Sequence, residues 1–191
     1  MRYCADHKAQ TRERLLSSSG QLAKQGGFAV TGVDALMKSI GLTGAAFYSH
    51  FSSKDELFAA LIESELQNSV AQLAVSPDAS AMTRLRQCLS RYLSASHANS
   101  PEKGCVLPAL GAEIARASEP VRQRTEHQLQ QLQAAWAEVV GDDARAWALL
   151  AQCLGSLMLA RMMASDASRE EVLNAGREAC NTLLSPTKAQ Q

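Results

Sequence analysis

Residues 33–57 read VDALMKSIGLTGAAFYSHFSSKDEL, and their apolar positions predict two short helices joined by a turn. The first helix, 33–39, has apolar residues at the i, i+3, i+4, i+7 spacing of one helix face. Gly41 ends it, because glycine readily adopts the left-handed conformation of a helix end. Thr43 then fits the N-cap of a second helix that reaches His50. Two short helices around a glycine-containing turn are the layout of a DNA-binding helix-turn-helix.

The second helix has small residues at its start, where the backbone of a recognition helix must come close to base edges. Thr43, Gly44 and Ala45 are predicted to face the bases for this reason. Residues 53–56, Ser-Lys-Asp-Glu, then have the composition of a capping box that opens a further helix, 53–74. Lys54 would lie at the start of that helix, where a cation and unpaired backbone N–H groups suit a phosphate.

The run GLTGAAFYSHFSSKDEL, residues 41–57, resembles the N-terminal DNA-binding domain of TetR-family transcriptional regulators of the TetR/AcrR type. The residues that match the family pattern are Gly41, Leu42, Thr43, Phe47, Tyr48, His50, Phe51, Ser53, Lys54, Asp55 and Leu57. The resemblance implies phosphate contacts by Tyr48, His50 and Lys54. Gly32 departs from the family, which has Thr or Ser as the cap of the first motif helix. Thr31 is predicted to take that role one residue earlier, and it is included among the predicted DNA-binding residues.

The charges of the chain are unevenly distributed, although the net charge of its 191 residues is zero. Residues 1–54 hold seven Lys or Arg and three Asp or Glu, a balance of +4, so the remainder carries −4. A basic N-terminal part on an acidic body is expected of a protein that binds DNA at one end. We therefore divide the chain into a helix-turn-helix domain, 1–54, and an effector-binding and dimerisation domain, 75–191, connected by the helix 53–74.

Helical periodicity extends over most of the chain, and no strand pattern is present. A first helix, 7–25, places Lys24 on its outer face, and the later helices are predicted at 79–98, 104–117, 118–141, 143–164 and 168–185. The predicted fold is all-α with about nine helices: an N-terminal three-helix DNA-binding domain and a C-terminal helical domain.

The eighth helix, 143–164, is apolar nearly all round, which indicates burial on several sides, one of them against a partner subunit. A stripe of mostly small residues along it allows a close helix–helix approach. The TetR resemblance implies that the last two helices form a four-helix bundle with a second copy. The residues predicted for this dimer interface are Ala148, Ala151, Gly155, Leu159 and Leu173. A dimer can place two recognition helices in successive major grooves, about 34–36 Å apart.

An effector site is predicted in the C-terminal domain. Cys105 stands near a predicted helix start beside Lys103, and both features lower the pKa of a thiol and raise its reactivity. The alternative is that Cys105 is a small buried hydrophobe. The full set of candidate effector residues is Cys105, Leu110, Trp136, Trp147, Met158 and Met162. The alternative for each of them is a residue of the hydrophobic core that does not bind an effector. Cys88, Cys153 and Cys180 lie on apolar helix faces and are interpreted as core.

Several classes of protein are not supported. No nucleotide-binding loop, nucleophile elbow or paired carboxylates are present, so no catalytic residue, enzyme activity or cofactor is predicted. The four histidines lack the i, i+4 spacing of a helical metal site. The most apolar run, 146–160, is shorter than the roughly 18 residues of a spanning helix. The first residues lack the apolar segment of a signal peptide, and five scattered cysteines suit reduced thiols. A cytoplasmic location is expected.

The prediction is a dimeric transcriptional repressor that a small-molecule or electrophile effector releases from a palindromic operator in double-stranded DNA. Two alternatives remain. One is a redox-sensing regulator that acts through Cys105, and the other is a helical adaptor protein that does not bind DNA.

Overall fold

The computed structural model describes residues 2–71 and 80–185, and within these residues the chain is helical without strands. The α-helices are α1 (Arg2–Gly26), α2 (Val33–Ser39), α3 (Lys54–Ala71), α4 (Ala81–Tyr92), α5 (Ala95–Asn99), α6 (Val106–Ala115), α7 (Glu119–Val140), α8 (Asp143–Met162) and α9 (Asp166–Leu183). Two 3₁₀ helices cover Gly44–Ser49 and Pro101–Lys103. The predicted all-α fold class is confirmed.

Local hydrogen bonds explain where the helices differ from the predicted ranges. The predicted helix 79–98 is two helices, because the Ser94 side chain accepts from the backbone N–H of His97 and starts α5. The predicted helix 104–117 begins at Val106, which places Pro108 in its first turn. The end of the predicted connecting helix, 72–74, lies outside the described residues.

The chain forms two compact units. The first contains 1–66 and 101–128, and the second contains 67–100 and 129–191. Our assignment of 101–128 to the C-terminal domain therefore differs from the structure, in which this segment packs with the N-terminal residues. The difference comes from side chains that bind over long sequence separations within the first unit.

One such side chain is Lys24, which is buried and not on the outer face of α1 as its helical position predicts. Its Nζ lies 3.0 and 3.1 Å from the two carboxylate oxygens of Glu65 on α3. It also donates to the backbone carbonyl of Gly104 at 3.0 Å. One ammonium group thus joins α1, α3 and the segment that precedes α6.

A second such side chain is Glu113 on α6. Its carboxylate accepts from the backbone N–H of Phe28 at 3.1 Å and of Ala29 at 2.6 Å. These two N–H groups lie in the loop between α1 and α2, where Gly27 has a φ of 93°. The loop that leads into the helix-turn-helix is therefore held by α6.

The second unit has its own apolar core, built on α8. Ala146, Leu149, Leu157 and Ala160 are the residues of α8 that it buries most completely, and Cys153 is nearly as buried. α9 packs closely on α8, because a Cβ on Gly176 would lie 2.5 Å from the Oγ of Ser156. No helix of the described residues is long and apolar enough to cross a lipid bilayer.

Candidate nucleic-acid interface

The turn of the helix-turn-helix is a Schellman motif. Gly41 has a φ of 77°, as the sequence predicts for the residue after a helix. Its N–H donates to the carbonyl of Lys38 at 3.0 Å, and the N–H of Leu42 donates to the carbonyl of Met37 at 3.0 Å. Arg14 of α1 donates to the carbonyl of Ile40 at 3.2 Å. The end of α2 is therefore fixed by its own backbone and by α1.

The second motif helix is a 3₁₀ helix, Gly44–Ser49, which ends one residue before the predicted end at His50. Thr43 is its N-cap, but the Thr43 hydroxyl makes no capping hydrogen bond, so that part of the prediction is wrong. Phe47 is fully buried and anchors the helix. Thr43, Ala45 and Tyr48 are exposed, which leaves their side chains available to a ligand.

Gly44 is small for a reason other than the approach of DNA. A Cβ at this position would collide with the carboxylate of Asp34 on α2. The absence of a side chain therefore lets the 3₁₀ helix pack closely on α2. The base contact predicted for Gly44 stays a prediction, while its small size is explained by packing within the protein.

Thr31 does not cap α2. The N-cap of α2 is Gly32, which has no side chain to offer. The Thr31 hydroxyl instead donates to the backbone carbonyl of Gly27 at 2.6 Å, four residues back. The predicted cap is therefore wrong, because the Thr31 side chain closes the turn before the helix.

The start of α3 has one half of the predicted capping box. The backbone N–H of Glu56 donates to the Ser53 hydroxyl at 3.1 Å, as expected. The Glu56 carboxylate, however, accepts from the backbone N–H and the hydroxyl of Ser52, one residue earlier. These bonds from Ser52 hold the pKa of Glu56 below its usual range. The carboxylate stays ionised at the helix N-terminus, where a negative charge is favourable.

Lys54 has structural partners besides any phosphate. Its Nζ donates to the carbonyl of Ala29 at 2.8 Å and lies 4.9 Å from the centre of the Phe28 ring. Phe28 in turn stacks on Phe58. An ammonium group has three donors, so a phosphate contact is compatible with these bonds. A change at Lys54 would nevertheless disturb the α1–α2 loop as well.

His50 lies among positively charged groups. Its burial, and then the charges of Lys8, Arg12 and His7, lower its pKa below 6.5. The imidazole is therefore neutral at pH 7. Its Nδ1 is buried without a hydrogen-bond partner, which leaves Nε2 as the nitrogen that can reach a ligand. The predicted phosphate contact of His50 would be a neutral hydrogen bond at this pH and not an ion pair.

Lys8 and Arg12 are candidate phosphate contacts that we did not predict. Both lie on α1, four residues apart and so on one helix face. Arg12 is held over the ring of Phe51, 4.5 Å from its centre, and Phe51 is buried beside Phe47. The i, i+4 spacing of the two cations in the sequence could have indicated this basic surface.

The residues predicted to bind an effector do not form one group. Cys105 is the half-buried N-cap of α6, and Leu110 is buried on α6; both belong to the first unit. Trp136 is buried in the core of the second unit, and its indole N–H has no hydrogen-bond partner. A surface pocket of about 360 Å³ in the first unit contains none of the predicted effector residues, since it is lined by Glu63, Gln123, Arg124, His127 and Gln128.

An exposed apolar stripe runs along α8. Trp147, Leu159 and Met162 are 44%, 52% and 67% exposed, so Trp147 and Met162 do not lie in an internal pocket as predicted. The exposed or half-buried residues that form this stripe are Ala144, Trp147, Ala148, Ala151, Leu154, Gly155, Met158, Leu159 and Met162. Leu173, in contrast, is fully buried in the core of its own chain. Its assignment to a dimer interface is therefore wrong.

The chain matches two models of the same protein family. The model described as bacterial regulatory proteins, tetR family, matches residues 15–61, which include the whole helix-turn-helix. The model described as tetracyclin repressor-like, C-terminal domain, matches residues 81–175. The two matches together leave only the chain ends and a short connecting segment uncovered.

Among curated proteins, the HTH-type transcriptional repressor NemR of Escherichia coli K12 is 28% identical over 115 residues. These residues are 59% of this chain, and they span 58% of the length of that relative. The crystal structure of reduced E. coli NemR has a TM-score of 0.78 and 21% identity, with 94% of this chain and 100% of that chain covered.

A TetR transcriptional regulator from Chloroflexus aurantiacus has a similar structure, with a TM-score of 0.74, 21% identity, and 92% and 96% of the two chains covered. A TetR transcriptional regulator from Legionella pneumophila has a TM-score of 0.74, 19% identity, and 92% and 97% covered. At these identities the structural similarity establishes the fold.

Proposed function

Because the chain belongs to the TetR family of bacterial regulatory proteins, we propose that it is a dimeric repressor that binds a palindromic operator in double-stranded DNA. The family match confirms the resemblance of residues 41–57, and the family consists of regulators and not enzymes. A cytoplasmic location is part of the proposal, since a repressor has to reach the chromosome. The adaptor alternative is not favoured by the family match.

The observation that carries the proposal is the surface around the 3₁₀ helix. Buried Phe47 fixes this helix, and Thr43, Ala45 and Tyr48 are exposed on it. In the major groove, Thr43 and Ala45 meet base edges, where a methyl or hydroxyl group contacts thymine or a polar edge. Tyr48 donates its hydroxyl to a phosphate.

Cations next to this helix supply the sequence-independent part of binding. Lys8 and Arg12 stand close enough to His50 to lower its pKa, so they border the same surface. Each phosphate that such a cation neutralises releases counterions, which makes the affinity fall with salt. Neutral His50 donates a further hydrogen bond through Nε2, and Lys54 adds a charge at the start of α3.

A second copy of the chain is the partner that fits the apolar stripe on α8. The stripe extends from Ala144 to Met162 at i, i+3, i+4 spacing, over most of a 20-residue helix. Its centre consists of Ala148, Ala151 and Gly155, which allow two copies of α8 to approach closely. A two-fold pair of these helices gives the self-complementary contact of a homodimer.

Release from DNA requires an effector that binds one arrangement of the dimer better than the other. Glu113 connects α6 to the α1–α2 loop, and Lys24 connects Gly104, just before α6, to Glu65 on α3, so a shift of α6 changes the position of the helix-turn-helix. A small apolar or electrophilic molecule at the C-terminal helices is the class of effector we propose. Cys105, as the N-cap of α6, would be the group that reacts with an electrophile.

Fluorescence anisotropy on DNA fragments from around the gene tests this proposal. The purified protein is expected to prefer one fragment, with an affinity that falls steeply as salt rises. Tyr48→Ala should weaken binding on all fragments, and Tyr48→Phe should separate the hydroxyl from the ring. Arg122→Ala on α7, an exposed cation outside the helix-turn-helix, is the matched control. Equal binding to all fragments, unchanged by Tyr48→Ala, would refute the repressor and favour the adaptor.

A further inference from the structure

Two buried cysteines of the second unit have their sulfurs in contact. The Sγ atoms of Cys153 on α8 and Cys180 on α9 are 3.8 Å apart. Both side chains are almost completely buried, and neither is in a disulfide. A separation of 3.8 Å suits two reduced thiols, whereas a disulfide requires about 2.05 Å. The sequence interpretation of both residues as simple core does not explain why the sulfurs face each other.

The packing of α8 on α9 brings the two thiols within reach. Gly176 lies one turn before Cys180, and Ser156 lies three residues after Cys153 on the antiparallel helix. A Cβ on Gly176 would be 2.5 Å from the Oγ and 2.7 Å from the Cβ of Ser156, so the Ser156 side chain lies directly against Gly176 and limits any closer approach of the two helices. Rotation of the cysteine side chains therefore has to supply most of the movement that brings the sulfurs together.

The contact also favours the reactive form of one thiol. The hydrogen bond between the two thiols lowers the pKa of Cys180 more than burial raises it. Cys88 shows the usual behaviour of a buried thiol, because burial raises its pKa. Because the thiolate is the nucleophile in thiol oxidation, Cys180 is the thiol that attacks first.

We propose that Cys153 and Cys180 form a reversible disulfide in the folded protein when it meets a hydroperoxide, and that this bond is a redox switch in the α8–α9 pair. The class of reagent is a small two-electron oxidant, since bulky reagents do not reach these sulfurs. The site differs from Cys105, which lies in the first unit on α6.

The chemistry balances in two steps. The Cys180 thiolate attacks one peroxide oxygen; the S–O bond forms, the O–O bond breaks, and the other oxygen leaves and takes a proton as water or an alcohol. The Cys153 sulfur then attacks the resulting sulfenic acid; the S–S bond forms, and the S–O bond breaks to release water. Two thiols and one hydroperoxide thus give one disulfide, and a dithiol reverses the reaction by exchange.

The consequence for regulation rests on the proposed function. Side-chain rotation brings the sulfurs most of the way from 3.8 Å to about 2.05 Å, and a small rotation of α8 or α9 supplies the rest, because the contact of Gly176 with Ser156 leaves no space for a closer approach. α8 carries the apolar stripe on its other side. A rotated α8 presents that stripe differently to a second copy, so the disulfide lowers the affinity of the dimer for its operator.

The first experiment needs no DNA. A variant with Cys4, Cys88 and Cys105 changed to Ser retains only the two thiols in contact; it is treated with hydrogen peroxide while folded, alkylated and mapped by mass spectrometry. The expected product has lost two hydrogen atoms, contains a peptide that joins Cys153 to Cys180, and returns to the dithiol with dithiothreitol. Two alkylated cysteines after treatment, or a disulfide that forms only in urea, would overturn the proposal.

Cys180→Ala in the same background is the matched control and should form no disulfide within the chain. Because this change removes a core sulfur, circular dichroism has to show that the variant is folded, and Cys153→Ala serves as the second control. Each of these variants retains a single cysteine. Disulfide-linked peptides in either of them would show that the disulfide joins two different chains, which contradicts the proposal.

The second experiment compares operator binding by the reduced and oxidised forms of the variant that retains only this pair. We expect about tenfold weaker binding after oxidation, which is in the range of ordinary allosteric coupling, and full recovery with dithiothreitol. Equal affinities would refute the switch even if the disulfide forms. If the reduced protein binds no DNA, the proposed function fails, while the mass spectrometry still decides whether the dithiol reacts.

Discussion

The ammonium group of Lys24 on α1 lies 3.0 Å from the carboxylate of Glu65 on α3, and 96% of the Lys24 side chain is shielded from solvent. A buried charge is costly unless it is paired and hydrogen-bonded, and here the carbonyl of Gly104 provides a third acceptor. The pair therefore joins three segments of the first unit, including the one that leads into α6.

Glu65→Gln is expected to destabilise the protein by about 3 kcal/mol, because it leaves the Lys24 charge buried without its counter-charge. The change should be measured by urea denaturation. The double variant Lys24→Met with Glu65→Leu should recover much of the loss, since both charges are then absent. Asp166→Asn breaks a pair with Arg169 in which the carboxylate is exposed, and it is the matched control, with an expected cost below about 1 kcal/mol. Equal costs for the two single variants would contradict the importance of burial.

Operator affinity is expected to rise as the pH falls below 6.5, because of His50. Its pKa is below 6.5 in the DNA-free protein, owing to burial and to Lys8, Arg12 and His7. A phosphate next to Nε2 stabilises the protonated ring, so the pKa is higher in the complex and binding takes up a proton. Between pH 7 and 8 the ring is neutral in the DNA-free protein and the affinity should change little.

His50→Gln keeps a hydrogen-bond donor but cannot titrate, so it should abolish the extra affinity at low pH when anisotropy is measured from pH 5.5 to 8. An unchanged pH dependence in His50→Gln would show that another group, such as His7, takes up the proton.

The phosphate contacts of α1 predict a specific salt effect. Lys8→Ala and Arg12→Ala should each weaken binding to all DNA sequences and reduce the slope of log affinity against log salt by about 1. Arg12→Ala should also lower thermal stability slightly, because it removes the cation from the Phe51 ring. Arg122→Ala should leave the slope unchanged, and an equal effect of this control would rule out a local contact by α1.

Gly44→Ala tests why the recognition helix starts with a glycine. The new Cβ collides with the Asp34 carboxylate, which is exposed and can rotate away. We expect a loss of about 1 kcal/mol in thermal unfolding, and little loss when Asp34→Ala is combined with it, because the obstacle is then absent. Ala45→Ser, at the exposed neighbouring position, is the control for a change in side-chain size. Additive effects of Gly44→Ala and Asp34→Ala would contradict the packing explanation.

Local patterns of the sequence predicted the parts of the structure that depend on neighbouring residues. The left-handed Gly41 and the bond from Glu56 N–H to Ser53 follow from turn and cap chemistry within a few positions. The burial of Lys24 could not be predicted from neighbouring residues, since its partner Glu65 is 41 residues away in the sequence. The same holds for the contact of Cys153 with Cys180, which depends on how α8 packs on α9.

Competing hydrogen bonds account for several of the wrong predictions. Thr31 and Glu56 have the side chains that caps require, but each binds the backbone or side chain of a residue before the helix. Leu173 was assigned to an interface from its position in the last helix, whereas its side chain points into the core of its own chain. Propensity identifies which residue can cap or pack, and the tertiary structure decides which partner it finds.

The apolar stripe on α8 gives the last prediction. Ala151 is exposed near its centre, so Ala151→Glu would place a charge in the contact between two copies. A buried charge without a counter-charge is costly, and the dimer should dissociate to monomers in sedimentation-velocity measurements. Operator affinity should fall with it, because one recognition helix then binds one half-site. Ala134→Glu on α7, another exposed alanine in a helix, is the matched control and should remain a dimer. If Ala151→Glu sediments as the wild type does, α8 is not the surface on which two copies meet.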